Sequence, residues 1–279
     1  MTQAERAFWG AMAGAPSGRI LVAPVAPSAE DIGLFEARSL QAAAASDRPL
    51  RALMLGVTRQ IAEMGWPEGT SLIAADWAPG MVKRWWRARP EGRLRAAVLA
   101  DWRRLPLPPA SQDIAVGDGC FAALASLDEC AAVSAEIRRV LRPRGWCVLR
   151  CFVRPEVPER LDDLFADLFE GRIRAPEAFC MRLAMAVHDS ARRGARRNDA
   201  WRAFEARIPD RAALLARLAW PEQALAMVER WRDSQACLAF PTLGELRELV
   251  GRRFELTECS FAGYELGERC ARVVLRARP

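Results

Sequence analysis

Between residues 51 and 153 the chain alternates short apolar runs with stretches of helical spacing. The apolar runs are RALMLG, SLIAAD, LRAAVLAD, QDIAVGDG and WCVLRCFV, and each has the length of a buried strand. Between the last two lies SLDECAAVSAEIRRVLRPRG, in which Val133, Ile137 and Val140 share one helical face and RPRG forms a turn. Strands that alternate with helices predict a parallel sheet covered by helices on both faces.

The alternation stops after the fifth apolar run. The next ninety or so residues contain little strand pattern and several segments of helical spacing, such as ERLDDLFADLF and RAALLARLAW. A further helix, TLGELRELVGRRF, leads to two β runs within FELTECSFAGYELGERCARVVLRA. The short link near LGER predicts that these last two strands pair in antiparallel fashion.

These patterns predict an α/β fold with a seven-stranded, mostly parallel, Rossmann-like sheet, an antiparallel C-terminal strand and a helical insertion. The expected organisation has an N-terminal helical segment, a ligand-binding domain built from two parts of the chain, and an insertion positioned to cap that domain. The N-terminal segment spans 1–50, the ligand-binding domain spans 51–153 and 242–279, and the insertion spans 154–241.

Composition indicates a globular protein with a large core, since 51% of the 279 residues are hydrophobic and 27% are charged. No apolar run approaches the roughly 20 residues of a membrane helix. The N-terminus, MTQAERAFWGAMAGAP, does not have the pattern of a signal peptide, so we expect a cytoplasmic protein without a membrane partner. The eight cysteines form no CxxC pair and the chain has one histidine, which argues against a metal site.

The net charge of +6 comes almost entirely from arginine, because Lys83 is the only lysine. Arginine-rich stretches such as ARRGARRNDAWRAFEAR could contact a phosphate backbone or form a solvated helix face. Acidic residues interrupt this run, which favours the solvated face. The charge therefore permits an anionic partner without indicating one.

Four residues end successive predicted strands at one edge of the sheet, where open parallel sheets bind ligands. Gly56 allows a ligand to approach the backbone closely, and Asp76, twenty residues later, can accept both ribose hydroxyl protons. Asp101 could accept from an adenine amino group while Trp102 packs on the base. Asp118 would face the reacting end of the ligand. The pattern predicts a site for an adenosine-type ligand.

Each of these residues also has a purely structural interpretation. Gly56 could simply close a strand–helix turn, and Asp76 could cap the next helix, since Asp is a favoured cap. Asp101 and Asp118 could each hold their own loop, and Trp102 could pack in the core. The occurrence of all of them at successive strand ends favours the ligand site.

The chain resembles the class I, Rossmann-like, S-adenosylmethionine-dependent methyltransferases over about 50–153 and 242–277. The similar segments are LMLGVTRQIA as the glycine turn, IAADWAPGMV with the ribose acid, ADWRRLPLPPASQDIAVGDG as the adenine loop and fourth strand, VLRPRGWCVLRCF, and the final β pair. The resemblance implies S-adenosylmethionine as the cofactor. The residues that it implies for cofactor binding are Gly56, Thr58, Asp76, Trp77, Asp101, Trp102 and Asp118.

The resemblance further implies methyl transfer to a small-molecule acceptor, which needs alignment of donor and acceptor and no protein nucleophile. We assign no catalytic residue, and we expect a packing or surface role for His188, the only histidine. GDGCF follows the fourth strand in place of a nucleic-acid methylation signature, which argues against nucleic acid.

Two other functional classes stay open. Val57, Thr58 and Gln60 stand where the family has small residues, and this departure fits a non-catalytic scaffold or regulatory protein that keeps the fold. The glycine-to-acid spacing also permits an NAD(P)-dependent oxidoreductase. The absence of GxGxxG and the terminal antiparallel pair argue against that third interpretation.

Overall fold

The computed structural model describes residues 3–14, 22–86, 95–188 and 194–279. Seven strands form the main sheet, in the spatial order β3-β2-β1-β4-β5-β9-β8, and β6 and β7 form a separate two-stranded pair. The strands are β1 Arg51–Leu55, β2 Ser71–Asp76, β3 Arg95–Leu99, β4 Gln112–Asp118, β5 Leu141–Phe152, β6 Ala195–Arg196, β7 Cys237–Leu238, β8 Phe254–Ser260 and β9 Cys270–Ala277.

The first five strands pair in parallel, and β9 pairs in antiparallel fashion with both β5 and β8. Consequently β9 alone runs against the other strands of this sheet. The predicted α/β class, the seven strands and the antiparallel C-terminal strand are confirmed.

Helices cover both faces of the sheet, as the alternating pattern predicted. On one face α2 and α3 pack over Met54 and Val116, and on the other α5 and α11 pack over Leu53 and Leu149. The helices are α1 Gln3–Gly14, α2 Ala29–Ala44, α3 Arg59–Glu63, α4 Pro79–Trp85, α5 Leu127–Val140, α6 Leu161–Phe169, α7 Pro176–Ala186, α8 Arg197–Arg207, α9 Arg211–Leu218, α10 Ala226–Glu229 and α11 Leu243–Gly251. None of the helices in the described ranges is long and apolar enough to cross a membrane.

The boundary between α5 and β5 differs from the sequence prediction. RPRG was expected to be a turn before the strand, but the ladder already includes Leu141, which pairs with Gln112. The turn persists only as an irregularity, with Arg144 at φ 60° and a register shift between Gln112 and Ile114. Pairing with a neighbouring strand overrides the local turn preference of Pro and Gly here.

Residues of the helical insertion pack at the carboxyl edge of the sheet. Their core includes Leu164, Phe179 and Phe204, together with Phe152 at the end of β5 and Cys270 at the start of β9. Because β9 runs against its neighbours, its first residue lies at the carboxyl ends of the others. The insertion therefore sits beside the edge where open α/β sheets bind ligands.

The insertion leaves and rejoins the sheet at one place. The backbone N–H of Arg154 donates to the carbonyl of Pro241 at 3.0 Å, and the Arg154 guanidinium contacts the Glu245 carboxylate at 3.0 Å. Glu245 also completes a capping box with Thr242 at the start of α11. The two ends of the insertion are thus held side by side.

A glycine fixes the contact between the insertion and the turn after β4. The Gly194 N–H donates to the Ala125 carbonyl at 3.0 Å, and a Cβ on Gly194 would lie 2.4 Å from the Leu238 carbonyl oxygen. Gly194→Ala must displace backbone, so we expect it to lower the free energy of unfolding by about 1–3 kcal/mol in urea denaturation. The control Gly33→Ala, exposed within α2 with open space at its Cβ, should instead raise it by up to about 1 kcal/mol. Equal effects of the two substitutions would contradict the tight contact.

Candidate cofactor site

Three of the sequence-predicted residues meet where β1 and β2 end. Gly56 follows β1 with φ 85°, a conformation that favours glycine, and its N–H donates to the Ala75 carbonyl at 2.8 Å. A Cβ placed on Gly56 would lie 3.9 Å from Asp76 Oδ2 and 3.7 Å from Trp102 Cζ2. The glycine turn, the acid and the indole therefore adjoin one another.

Asp76 is a nearly buried carboxyl at the end of β2. Its Oδ1 accepts from the Ala78 N–H at 2.8 Å, which holds the turn before α4. Burial raises the pKa of this carboxyl to about 6, against the lowering effect of the backbone N–H groups of Ala78 and Trp77. Asp76 does not cap α4, whose N-cap residue is Ala78, but it holds the turn that leads into that helix. Its position beside Gly56 also suits contact with a ligand.

Trp102 and Asp101 have partners of their own in the loop after β3. The Trp102 side chain is buried, and its Nε1–H donates to the Ala75 carbonyl at 2.6 Å. The Asp101 carboxylate accepts from the Arg103 guanidinium at 2.6 Å, and Arg103 also contacts Glu129 at 2.5 Å. In this conformation the indole faces Gly56 and the core, so packing on a base would require it to be uncovered.

Thr58 and Trp77 flank the crevice and are partly exposed. Thr58 occupies the position before α3, but its hydroxyl does not cap that helix. Since α3 has only five residues, it offers little of the helix-terminal anion binding that a longer helix would supply. The structure leaves the predicted cofactor contacts of both residues untested.

Asp118 is paired with a buried arginine that the sequence analysis missed. Arg150 stands opposite Asp118 in the β4–β5 ladder, and its Nε lies 2.5 Å from Asp118 Oδ1, with 0% and 6% of the two side chains exposed. The same guanidinium donates to the Pro24 carbonyl at 2.7 Å and the Tyr264 hydroxyl at 3.0 Å. Burial opposes the charge of Arg150, but the Asp118 carboxylate outweighs it and raises the pKa of the guanidinium.

An arginine inside the apolar run WCVLRCFV was the available signal for this pair. A charged side chain in a buried strand requires a partner. That partner must lie on a neighbouring strand, but the sequence alone does not give the order of the strands in the sheet. Asp118 is therefore an ion-paired residue at the strand edge, and its predicted approach to the reacting end of a ligand stays a prediction.

The N-terminal helix α1 lies beside the loop that follows β3. Glu5, 1% exposed, lies near Trp102, Arg103 and Leu124, and the space among them is too small for a water molecule. The sequence pattern predicted a helical N-terminal segment but not its position beside this loop. Residues so far apart in the chain are brought together only by the tertiary fold, which local patterns do not contain.

Metal-binding and thiol chemistry receive no support from the described residues. Nowhere in those ranges do three His, Cys, Asp or Glu side chains group in a way that could hold a metal ion. All eight cysteines are free thiols, and burial raises the pKa of Cys120 to about 12. His188 is half-buried, and its ring lies 6.3 Å from that of Phe240 in the helical insertion.

Comparisons with known proteins bear on the fold. A family model described as a methyltransferase domain matches residues 55–149. A search of curated proteins found no match. Among solved structures, one provisionally described as a zinc-dependent alcohol dehydrogenase from Rhodobacter sphaeroides has a TM-score of 0.60, with 13% identity and 100% of both chains covered.

A second solved structure is the complex of the Haloferax volcanii Trm112 methyltransferase activator with a provisionally assigned methyltransferase. It has a TM-score of 0.50 and 11% identity, and covers 97% of this chain and 98% of that one. At such identities both likenesses show the fold alone. Residues 55–149 thus match a methyltransferase domain, and the strand order is that of the class I, Rossmann-like methyltransferase fold.

The side chains fit such a cofactor in part. Gly56 leaves the backbone open beside the Asp76 carboxylate, which is the pairing that a ribose requires. The Trp102 indole, however, lies against the same glycine, with its Cζ2 3.7 Å from the point where a Gly56 Cβ would stand. The chemistry of the donors fits the cofactor, while the indole takes up space next to the glycine turn.

The raised pKa of Asp76 predicts a pH-dependent stability. The unfolded carboxyl ionises near pH 4 and the folded one near pH 6, so the folded protein binds the extra proton between these values. The contribution of Asp76 is complete below pH 4 and falls by about 3 kcal/mol as the pH rises through 6. Asp76→Asn abolishes this loss. We expect the free energy of unfolding of the variant, relative to wild type, to rise by that amount between pH 4 and 7 in urea titrations. A difference that is constant with pH would contradict the shift.

Removal of Arg150 should leave the buried Asp118 carboxylate without a partner. We expect Arg150→Met to lower the free energy of unfolding by about 3–5 kcal/mol, because Asp118 then has no partner. The double variant Arg150→Met with Asp118→Leu should recover part of the loss, since no buried carboxylate is left unpaired and only the neutral Pro24, Val25 and Tyr264 oxygens lose a donor. Urea denaturation measures both. Equal losses in the single and double variants would show that the ion pair itself is not the source.

Proposed function

We propose that this protein binds S-adenosylmethionine and transfers its methyl group to a small-molecule acceptor. The observation that carries the proposal is the meeting of Gly56 and the Asp76 carboxylate at the ends of β1 and β2, within a methyltransferase domain. Gly56 and Thr58 would hold the methionine end of the cofactor, and Asp76 with Trp77 the ribose. Asp101 and Trp102 would hold the adenine, and Asp118 would stand near the reacting end.

The bound cofactor supplies an electrophilic methyl group, which an acceptor lone pair takes as the carbon–sulfur bond breaks. The protein itself needs to orient the two molecules and exclude water, and no side chain need become covalently attached. The helical insertion, which packs at the carboxyl edge of the sheet, would supply that enclosure, together with α1 beside the loop after β3. An enclosed crevice suits a small acceptor better than a nucleic acid.

The non-catalytic scaffold remains a second candidate function, and a specific observation favours it. Trp102 fills space beside Gly56, and Val57, Thr58 and Gln60 replace the small residues of the family turn. A protein of this class would keep the sheet and insertion as a binding surface and would transfer no methyl group.

Calorimetric titration with S-adenosylmethionine and S-adenosylhomocysteine, with NAD as a control ligand, separates these functions. We expect both sulfur ligands to bind and NAD not to bind. Asp76→Asn should weaken binding at least tenfold, because a neutral amide cannot accept from two ribose hydroxyls as a carboxylate does. The affinity of wild type should rise from pH 5 to pH 8 as Asp76 ionises.

Asp210→Asn is the matched control for that variant. Asp210 accepts from the Ala213 N–H at 2.9 Å, and Asp76 accepts from the Ala78 N–H at 2.8 Å. Both substitutions therefore remove a carboxylate that accepts from a backbone N–H at the start of a helix. Asp210→Asn should leave the affinity unchanged. If folded wild type binds neither sulfur ligand, the scaffold function replaces the enzymatic one.

A further inference from the structure

The Trp102 indole occupies a defined place in the crevice. Its Cζ2 and Asp76 Oδ2 both lie within 4 Å of the point where a Gly56 Cβ would stand. Its Nε1–H is bonded to the Ala75 carbonyl at 2.6 Å, so the ring is fixed at the end of β2. The ring is flat and aromatic, like the base that the crevice is proposed to bind. The protein thus fills part of its own adenosine site.

The helix α1 closes this arrangement and is held to the insertion. Glu5 lies near Trp102. On the same face of the helix, three residues further on, Phe8 meets the insertion: the Arg197 guanidinium lies 3.9 Å from the centre of the Phe8 ring and 6.0 Å from that of Trp9. Stacking of this kind is strongest when the cation is desolvated, as it is here.

Arg197 is well suited to act as the fixed half of this contact. It is 3% exposed, and its Nη1 donates to the Cys237 carbonyl at 3.0 Å. Burial lowers the pKa of the guanidinium to about 10, partly offset by Cys237 and Glu5, so the group keeps its charge near neutral pH. The insertion therefore presents a rigid cation against which the aromatic face of α1 docks.

We propose that Trp102 and α1 form a gate that keeps the adenosine part of the crevice closed, with the Phe8–Arg197 contact as its latch. Opening moves α1 away from Arg197 and frees the indole to leave the space beside Gly56. The identity of the entering ligand rests on the proposed function. The gate itself is a property of the protein without ligand.

Only molecules with an open gate bind the ligand, so the apparent affinity is the intrinsic affinity multiplied by the fraction of molecules that are open. Weakening the latch increases that fraction, so affinity should increase without any new contact to the ligand. Phe8→Ala removes the ring from Arg197. Trp102→Phe keeps an aromatic ring but loses the bond to the Ala75 carbonyl.

Trp66→Phe is the matched control for Trp102→Phe. Trp66 is also buried, and its Nε1–H donates to the Ile61 carbonyl at 2.9 Å in the core on the other side of the sheet. Both substitutions remove one buried indole hydrogen bond. Only the substitution at Trp102 should change ligand binding.

Hydrogen exchange of the full-length protein, read by mass spectrometry, tests the closure without ligand. We expect Phe8→Ala to increase exchange in the segment 100–105, which contains Trp102 and lies beside α1. Faster exchange confined to α1 would overturn the gate, because the helix would then open without uncovering the crevice.

Calorimetry with S-adenosylhomocysteine gives the second reading. Phe8→Ala and Trp102→Phe should bind about tenfold more tightly than wild type, while Trp66→Phe matches wild type. Equal affinities in all forms would overturn the gate and leave the proposed function standing. Weaker binding by Trp102→Phe would also overturn the gate, because the indole would then serve the ligand only by packing on the base, as the proposed function has it. If segment 100–105 opens in Phe8→Ala but no form binds the ligand, the gate stands and the proposed function fails.

Discussion

A single buried guanidinium joins four parts of the chain that are distant in sequence. Arg150 at the end of β5 pairs with Asp118 of β4, the carbonyls of the segment before α2, and the hydroxyl of Tyr264 before β9. A buried charge is tolerated only when nearly all of its donors are used, so the positions of these segments depend on one another. The shape of the sheet's carboxyl edge follows from that mutual dependence.

The crevice at this edge combines two opposing properties. Gly56 leaves the backbone open beside the Asp76 carboxyl, whereas the Trp102 ring lies against the same glycine. Burial of the Asp76 carboxyl raises its pKa to about 6. An open backbone and a crowded side-chain environment thus meet at this edge.

Most of the fold could be predicted from the sequence, because strand and helix periodicity are local properties. The prediction that RPRG forms a turn before the fifth strand was wrong, because Leu141 already pairs with Gln112. That pairing depends on a neighbouring strand, which the local pattern does not contain. Gly56 and Asp76 were recognisable because topology brings successive strand ends to one edge. The Arg150 ion pair and the position of α1 were not, because each depends on contacts between segments more than thirty positions apart.

The joined ends of the insertion have an evolutionary consequence. Arg154 and Pro241 are linked by one backbone hydrogen bond, so the 154–241 segment spans almost no distance across the sheet. Segments with adjacent ends can be lengthened, shortened or exchanged without stretching their host. The insertion at the carboxyl edge of the sheet can therefore change in length and sequence independently, while the sheet that carries Gly56 and Asp76 keeps its strand order.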